Sequence, residues 1–516
     1  MKPYIFLILL VATFIYQKNL FSSEKIRVLY NSLDTKSVSK HLAFYQLYPD
    51  SPEGMKALRH AWHLLSPKDK KIYPAGRSLP TPLPATQAII SLINKTPDEE
   101  QIILDEEELW AIEELASFLP NRQLKGYNVN SEEEVLALPP EEIDLARGLF
   151  LSEMGNDPEA MLKIRSYEAM IDLMALQILT KISKDSPPRA KIAEMNHFIF
   201  EEMGFRFPPH SLYAKDIDLY TFLPSVLDSR RGVCLGVSIL YLCLSQRLNL
   251  ELEMITPPGH IYVRYHKNNE IINIETTARG IDLECEVYLS VNTRSLQERT
   301  IKEVIGLAHF NEASAHWQKN DHFKALACYE KALPYLPGDK LTIELMAYNY
   351  ILTNNLEKAN ELLELVKDHI PDHSIEKEVL AEDLLLGNAD AECIKAVFMH
   401  VDENRESVLK KKLSIEQALE KNPKFRSGYF CLASIWLQLH RPKEALPILT
   451  KYSDMRPQDP TAHYYLSIIN AERLDYNQAW EHLRKAESLV KTKGHNPKAL
   501  KEIRKSLRQQ IGRAHV

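Results

Sequence analysis

The chain has 516 residues, of which 45% are hydrophobic and 26% are charged, and its formal net charge is −7. This length predicts roughly two to four domains, and the composition is typical of globular proteins. The negative balance excludes the broad basic surface that proteins use to bind nucleic acids, so no nucleic-acid partner is expected. The chain has only 16 glycines, which favours helices.

The first 23 residues differ from the rest because Lys2 precedes an apolar stretch, "PYIFLILLVATFIY" at residues 3–16. This stretch is shorter than the about 20 residues that a spanning helix needs. It is typical of the apolar core of a secretory signal peptide. Residues 1–23 are therefore predicted to be a signal peptide or a membrane anchor. The prediction places the protein in the periplasm, outside the cell or on the membrane of a bacterium, and in the cytoplasm if the segment is not a signal.

Residues 24–155 are predicted to form a mainly helical region with a proline-rich linker at 66–86. The stretch "IRVLYNSL" near its start is expected to be extended. A helix is expected to begin at Thr96, because Thr96, Pro97 and Glu99 have the order of a capping box. No catalytic signal is found in this region.

The second half of the chain contains an internal repeat of 34 residues. This spacing separates Ala325 from Ala359 and Ala445 from Ala479. The motifs "HFKALACYEKALPYLP" and "RPKEALPILTKYSDMRP" each combine that alanine with a large residue and a closing proline. Repeats are predicted at 306–339, 340–373, 426–459 and 460–493, with a degenerate unit at 392–425, where Lys411 replaces the alanine, and an insertion around 374–391.

These motifs resemble the tetratricopeptide repeat family. The resemblance implies an α-solenoid over 301–495, in which neighbouring helix hairpins stack to bury their apolar faces. Solenoids of this kind commonly present a concave surface, so a partner protein or peptide is expected there. The basic residues 496–516 are predicted to form a capping helix.

Six cysteines occur, and because none form a C-x-x-C pair, neither a disulfide framework nor a zinc ribbon is expected. Cys234 lies in "RRGVCLGVSILYL", where Gly232 interrupts any preceding helix and an apolar helix is expected to begin near the cysteine. A thiol at a helix N-terminus faces unpaired N–H groups and the positive end of the dipole, which favour the nucleophilic thiolate. Arg231 adds positive charge, whereas Cys243 is expected to lie in the core.

A base for this thiol is expected from "PPGHIYVRY", in which His260 follows a turn and begins a strand. The next strand is predicted over "IINIETT", after a turn at residues 267–269. Pairing these strands places His260 opposite residues 274–277, so Glu275 is expected to hold its imidazole. Asn273 is the alternative if the register slips by one residue, and His266 is expected to be exposed.

Metal binding by Cys234, His260 and Cys285 is an alternative, but their spacing matches no common zinc pattern. No metal and no cofactor are expected.

The segments quoted around Cys234, His260 and Glu275 resemble the bacterial transglutaminase-like family, in particular its SirB-type branch. The resemblance implies a domain at 156–300 with a papain-like α+β core, in which a helix packs on an antiparallel sheet. The fold class expected for the chain is therefore mostly α, with this core followed by the solenoid.

The resemblance also implies a catalytic triad of Cys234, His260 and Glu275, although the family usually has aspartate at the third position. The function implied is cysteine-dependent acyl transfer on a protein or peptide, with hydrolysis and crosslinking both open. The alternative is an inactive transglutaminase-like scaffold that assembles complexes through its repeats.

Overall fold

The computed structural model describes residues 24–66, 84–183, 185–208, 220–401 and 404–514. Helices predominate among the described residues, and the strands form one small antiparallel sheet, in agreement with the predicted fold class. The mostly α fold with an α+β core is thereby confirmed. The predicted signal or anchor at 1–23 and most of the linker at 66–86 lie outside the described residues. No helix within the described ranges is both long and apolar enough to cross a membrane.

The helices and strands are numbered here in chain order. After a helical segment at residues 24–31, the numbered helices before the sheet are α1 Val38–Leu47, α2 Pro52–Leu65, α3 Pro84–Asn94, α4 Glu106–Leu115, α5 Glu132–Ala137, α6 Leu145–Met154, α7 Pro158–Leu179, α8 Pro188–Asn196, α9 Leu223–Ser229 and α10 Cys234–Arg247. The strands are β1 Glu253–Thr256, β2 Tyr262–Lys267, β3 Glu270–Ile274 and β4 Gln297–Arg299. The helices that follow are α11 Ile301–Gln318, α12 His322–Ala332, α13 Lys340–Leu352, α14 Leu356–Val366, α15 Leu380–Leu385, α16 Ala391–Phe398, α17 Arg405–Lys421, α18 Arg426–Gln438, α19 Pro442–Met455, α20 Pro460–Glu472, α21 Tyr476–Thr492 and α22 Lys498–Ala514.

The chain divides into two compact units. The first comprises Met1–Phe205, Leu227–Arg230 and Leu240–Glu251, and the second comprises Arg206–Val226, Arg231–Ile239 and Leu252–Val516.

The first unit is helical, and its long helix α7 begins after Asp157, whose carboxylate accepts hydrogen bonds from Glu159 and Ala160. The expected helix start at Thr96 is wrong. Glu99 does accept a hydrogen bond from the Thr96 amide, but Asp98 takes a left-handed conformation (φ 64°), which a helix cannot continue through. The next helix instead begins at Glu106, after a capping box between Asp105 and Glu108.

The expected extended conformation of "IRVLYNSL" is also wrong, because residues 24–31 are helical. Its backbone groups bond within the segment, as in the hydrogen bond from the Ser32 amide to the Val28 carbonyl. A strand would have required a neighbouring strand to satisfy the same groups.

The sheet belongs to the second unit and has the strand order β3-β2-β1-β4, with each adjacent pair antiparallel. Strands β2 and β3 form a hairpin in which Lys267 pairs with Glu270 and Val263 pairs with Ile274. Asn268 and Asn269 at its tip both have positive φ, at 53° and 64°, as the two-residue turns that match strand twist require. This register determines which residues after β3 come opposite the start of β2.

Helix pairs α11/α12, α13/α14, α18/α19 and α20/α21 correspond to the four regular repeats predicted from the sequence. The alanines that define the period are all 0% exposed, which shows why a small side chain recurs where two helices approach closely. These are Ala325, Ala359, Ala445 and Ala479. The turn inside each helix pair places one residue in the left-handed conformation. These residues again keep the spacing of 34, from Asn320 to Asn354 and from His440 to Leu474.

The irregular part of the repeat region lies between α14 and α18. The degenerate unit has a short helix α16 followed by the longer α17, and the insertion contains α15. The insertion pairs with the segment between β3 and β4, since the Ile375 amide donates to the Asn292 carbonyl and Thr293 forms a bridge with Ser374. At the C-terminus, α22 buries Leu500 and Leu507 in one apolar cluster with Leu483 of α21.

Candidate active site

Cys234 is the first residue of helix α10, as the sequence predicts. The chain reaches it through a turn in which Arg230 has φ 53°. The Val233 amide then donates to the Tyr220 carbonyl, and the helical pattern begins with the bond from Val237 to the Val233 carbonyl. The cysteine is half-buried and is not part of a disulfide.

The first turn of α10 packs closely against α9 and against Tyr220, which lies just before it. A Cβ atom on Gly236 would lie 2.2 Å from the Tyr220 carbonyl oxygen and 2.9 Å from Val226 Cγ2. Only glycine fits this approach, so the backbone around Cys234 is held on two sides. The thiol is therefore placed by main-chain packing rather than by a mobile loop.

His260 follows a tight turn rather than beginning the strand itself. Its amide donates to the Pro257 carbonyl at 3.1 Å, and Gly259 supplies the positive φ (73°) that such a turn needs. Strand β2 begins two residues later, at Tyr262. The His260 side chain is 27% exposed, so part of the ring is accessible to solvent.

Glu275 lies immediately after β3, because the strand ends at Ile274 and not within "ETT" as expected. It caps a short turn at Thr276–Ala278, and its amide donates to the Ile281 carbonyl at 3.0 Å. Ser238 of α10 lies 3.0 Å from Thr276 between their hydroxyl oxygens, which connects the first turns of the helix to this turn.

The structure brings His260 and Glu275 together: the distance from Nε2 of the imidazole to Oε2 of the carboxylate is 2.6 Å. Two residues that sequence reasoning missed complete the carboxylate's contacts. Thr277 donates its hydroxyl (2.6 Å) and its amide (3.2 Å) to Oε1, and the Tyr288 hydroxyl donates to Oε2. Thr277 is two residues from Glu275, but Tyr288 belongs to a separate short turn and gave no sequence signal.

The charges of this pair follow from its contacts. Burial opposes ionisation of Glu275, but the hydrogen bonds from His260, Thr277 and Tyr288 lower its pKa to about 2. Hydrogen bonds with Cys234 and then with Glu275 raise the pKa of His260 to about 9. Both shifts favour an imidazolium paired with a carboxylate at neutral pH.

Cys234 lies within side-chain hydrogen-bonding reach of His260. Because Nε2 of the ring is taken by Glu275, Nδ1 is the nitrogen left for the sulfur. In this arrangement the sulfur is the candidate nucleophile, the imidazole is the base that activates it, and the carboxylate orients the imidazole.

Replacing Glu275 with glutamine is expected to lower the pKa of His260 by about one unit or more, since the imidazolium loses its ionic partner. In the unaltered protein, the pKa of His260 lies above its ordinary value of 6.5. The contribution of His260 to stability is therefore complete below about pH 6.5 and is lost as the pH rises through about 9. The lowered pKa of Glu275 acts in the opposite direction: its contribution is complete above about pH 4.5 and is lost as the pH falls through about 2.

NMR titration of the His260 ring measures this shift. His266, an exposed histidine on β2, gives a second ring signal in the same spectra for comparison. An unchanged His260 titration in Glu275→Gln would contradict the role given to the carboxylate.

The alternative site residues have other contacts. Asn273 accepts a hydrogen bond from Arg264 Nε at 3.0 Å and donates to the Leu283 carbonyl. Cys285 lies 3.2 Å from Arg264 Nη2 and 3.4 Å from Asn273 Nδ2. Cys243 is fully buried, as expected, and its burial raises the pKa of its thiol.

Comparison with known proteins identifies the central part of the chain. A family model described as the transglutaminase-like superfamily matches residues 165–308, a range that contains Cys234, His260 and Glu275. No curated protein gives a match.

The similar solved structures include three proteins. One is a tetratricopeptide repeat protein from Parabacteroides merdae (16% identity, 39% of this chain and 70% of that chain, TM-score 0.22). The others are MamA MSR-1 (16% identity, 36% and 98%, TM-score 0.20) and MamA from Desulfovibrio magneticus RS-1 (13% identity, 36% and 96%, TM-score 0.19). Residues 165–308 thus match the transglutaminase-like superfamily, and the chain continues into paired helices with a 34-residue period.

Proposed function

We propose that this protein is a cysteine-dependent acyl-transfer enzyme that acts on amide groups of proteins or peptides. The observation that carries the proposal is the 2.6 Å bond between His260 and Glu275, with Cys234 at a helix N-terminus beside the same imidazole. The family match supports the same chemistry, because it covers all three residues.

In the first half of the reaction, the Cys234 thiolate attacks the amide carbonyl carbon and a carbon–sulfur bond forms. The imidazolium of His260 then donates its proton to the leaving nitrogen as the carbon–nitrogen bond breaks. The products are a thioester on Cys234 and a free amine or ammonia. Glu275 keeps the imidazole in one orientation and stabilises its positive charge throughout.

In the second half, neutral His260 removes a proton from an incoming nucleophile, which attacks the thioester carbonyl. The carbon–sulfur bond breaks, the thiolate leaves, and His260 is again an imidazolium. Water as the nucleophile gives hydrolysis of the amide, whereas a primary amine gives a crosslink. Both reactions use the same residues and the same proton transfers.

The first turn of α10 provides electrostatic stabilisation in both halves of the reaction. The N–H groups at the start of a helix have no intrahelical partners, and the dipole is positive at this end. Such groups stabilise the oxyanion that forms when a carbonyl is attacked by a nucleophile on the same turn. The fixed position of Gly236 keeps these groups beside the sulfur.

The helix pairs that follow the domain are proposed to bind the substrate protein or a partner. Stacked helix hairpins offer an extended surface of the kind that solenoids use for recognition. In this proposal the helix pairs bind the protein, whereas the reaction takes place at Cys234, His260 and Glu275, which precede α11.

Alkylation of the thiols by iodoacetamide tests the proposal. A thiol without a charged neighbour has a pKa near 8.5 and is only a few per cent ionised at pH 7. We therefore expect Cys234 to react about tenfold or more faster than the other cysteines, and the difference to disappear in His260→Ala. Mass spectrometry of the labelled peptides measures each rate separately. Equal, slow labelling of all six cysteines would favour the inactive scaffold instead.

A further inference from the structure

The first helix pair of the repeat region gathers three side chains that the proposed reaction does not use. Glu312 and His316 are four residues apart on α11 and share one helix face. Cys328 lies on α12, which runs back alongside α11. The ligand atoms of the three residues, a carboxylate oxygen, an imidazole nitrogen and the sulfur, all lie within 4.8 Å of one another. We infer that Glu312, His316 and Cys328 form a binding site for a zinc ion.

The donor set indicates which metal would bind. Calcium and magnesium take oxygen ligands almost exclusively, so a thiolate and an imidazole in the same site disfavour them. Zinc accepts sulfur, nitrogen and oxygen together in tetrahedral sites. Three protein ligands leave the fourth position for a water molecule or for a group from a bound partner.

A neighbouring histidine supports the carboxylate. Nδ1 of His309, one turn before Glu312 on α11, lies 3.6 Å from Glu312 Oε2, and its side chain is only 1% exposed. Ligating carboxylates and imidazoles are commonly oriented by such outer contacts. The Glu312 side chain is 31% exposed, so an ion can reach the cluster from solvent.

Two other places in the described structure could also take up a transition metal, and the experiment must exclude both. Cys234 and His260 offer a thiol and an imidazole. Glu253, His266 and Glu298 form a second cluster on the sheet, which contains no sulfur. A signal specific to a metal–thiolate bond, measured in a Cys234→Ala background, separates the proposed site from both.

The test is a titration of full-length Cys234→Ala with cobalt(II), a spectroscopic substitute for zinc. We expect the cobalt–thiolate charge-transfer band to saturate at one equivalent and to disappear when zinc is added. Adding Cys328→Ser should remove the band. Adding His316→Gln, which keeps the thiol, should weaken binding by about tenfold or more. Cys431→Ser is the matched control, because Cys431 is also a half-buried repeat-helix cysteine but lies near Lys411.

The absence of a thiolate band, or a band that survives Cys328→Ser, would overturn the zinc site. Circular dichroism without metal shows whether each variant folds. If Cys328→Ser does not fold, His316→Gln decides, and an unchanged cobalt affinity in that variant would also overturn the inference.

Discussion

Replacing Cys234 with alanine should abolish amide-bond cleavage and amine incorporation, with a rate loss of about 10³-fold or more. The reason is that Cys234 is the thiol proposed to form the covalent intermediate, and the residual rate would come from binding and the N–H groups of α10. The measurement uses denatured casein with a fluorescent primary amine. Peptide release reports hydrolysis and fluorescence in the protein fraction reports crosslinking.

Cys431→Ala is the control for this variant, since it removes a half-buried thiol from a repeat helix. It should retain the activity of the unaltered protein. Casein cleavage that continues in Cys234→Ala at an undiminished rate would refute the enzyme. The ratio of the two signals in the unaltered protein also distinguishes water from an amine as the preferred nucleophile.

Replacing Arg247 with methionine should destabilise the protein by about 3–5 kcal/mol, because it removes one of the two arginines that pair with the buried carboxylate of Asp172. Arg247 Nε donates to Asp172 Oδ1 at 2.6 Å, and the two side chains are 0% and 1% exposed. Arg247 also donates to the Cys243 carbonyl at 3.1 Å, and Arg122 provides a second contact to Asp172. Methionine has a similar length, so packing is largely kept while the charge is lost.

Urea unfolding followed by circular dichroism measures this loss as a lower midpoint. The control is Lys395→Met, which breaks the exposed pair with Glu392, whose side chains are 51% and 58% exposed. That variant should change stability by less than about 1 kcal/mol. A loss of under about 1 kcal/mol in Arg247→Met would show that the buried pair does not hold α10 in place.

Local chemistry in the sequence was enough to predict much of the candidate site. Gly232 before an apolar run predicted that α10 begins at Cys234, and it does. The predicted turn at residues 267–269 indicated that β2 and β3 pair as a hairpin. Counting residues outward from this turn along both strands placed Glu275 near His260. These inferences worked because helix starts and hairpin registers depend on a few adjacent residues.

Contacts between distant segments could not be predicted in this way. Tyr288 reaches Glu275 from a short turn with no motif, and Glu312, His316 and Cys328 meet only because α11 and α12 pack antiparallel. The capping motif at Thr96 forms the local hydrogen bond from the Thr96 amide to Glu99, yet no helix begins there. Asp98 there adopts a left-handed conformation and donates its amide to the Asp228 carbonyl.

The sequence by itself determined the helical repeat, since a 34-residue period of alanines that pack between helices is a property of spacing alone. It also determined the helix start at Cys234 and the hairpin that follows His260. Only the tertiary structure decided which side chains surround Glu275 and which meet between α11 and α12. Those contacts depend on how separate segments pack, and packing is a property of the whole fold rather than of any local stretch.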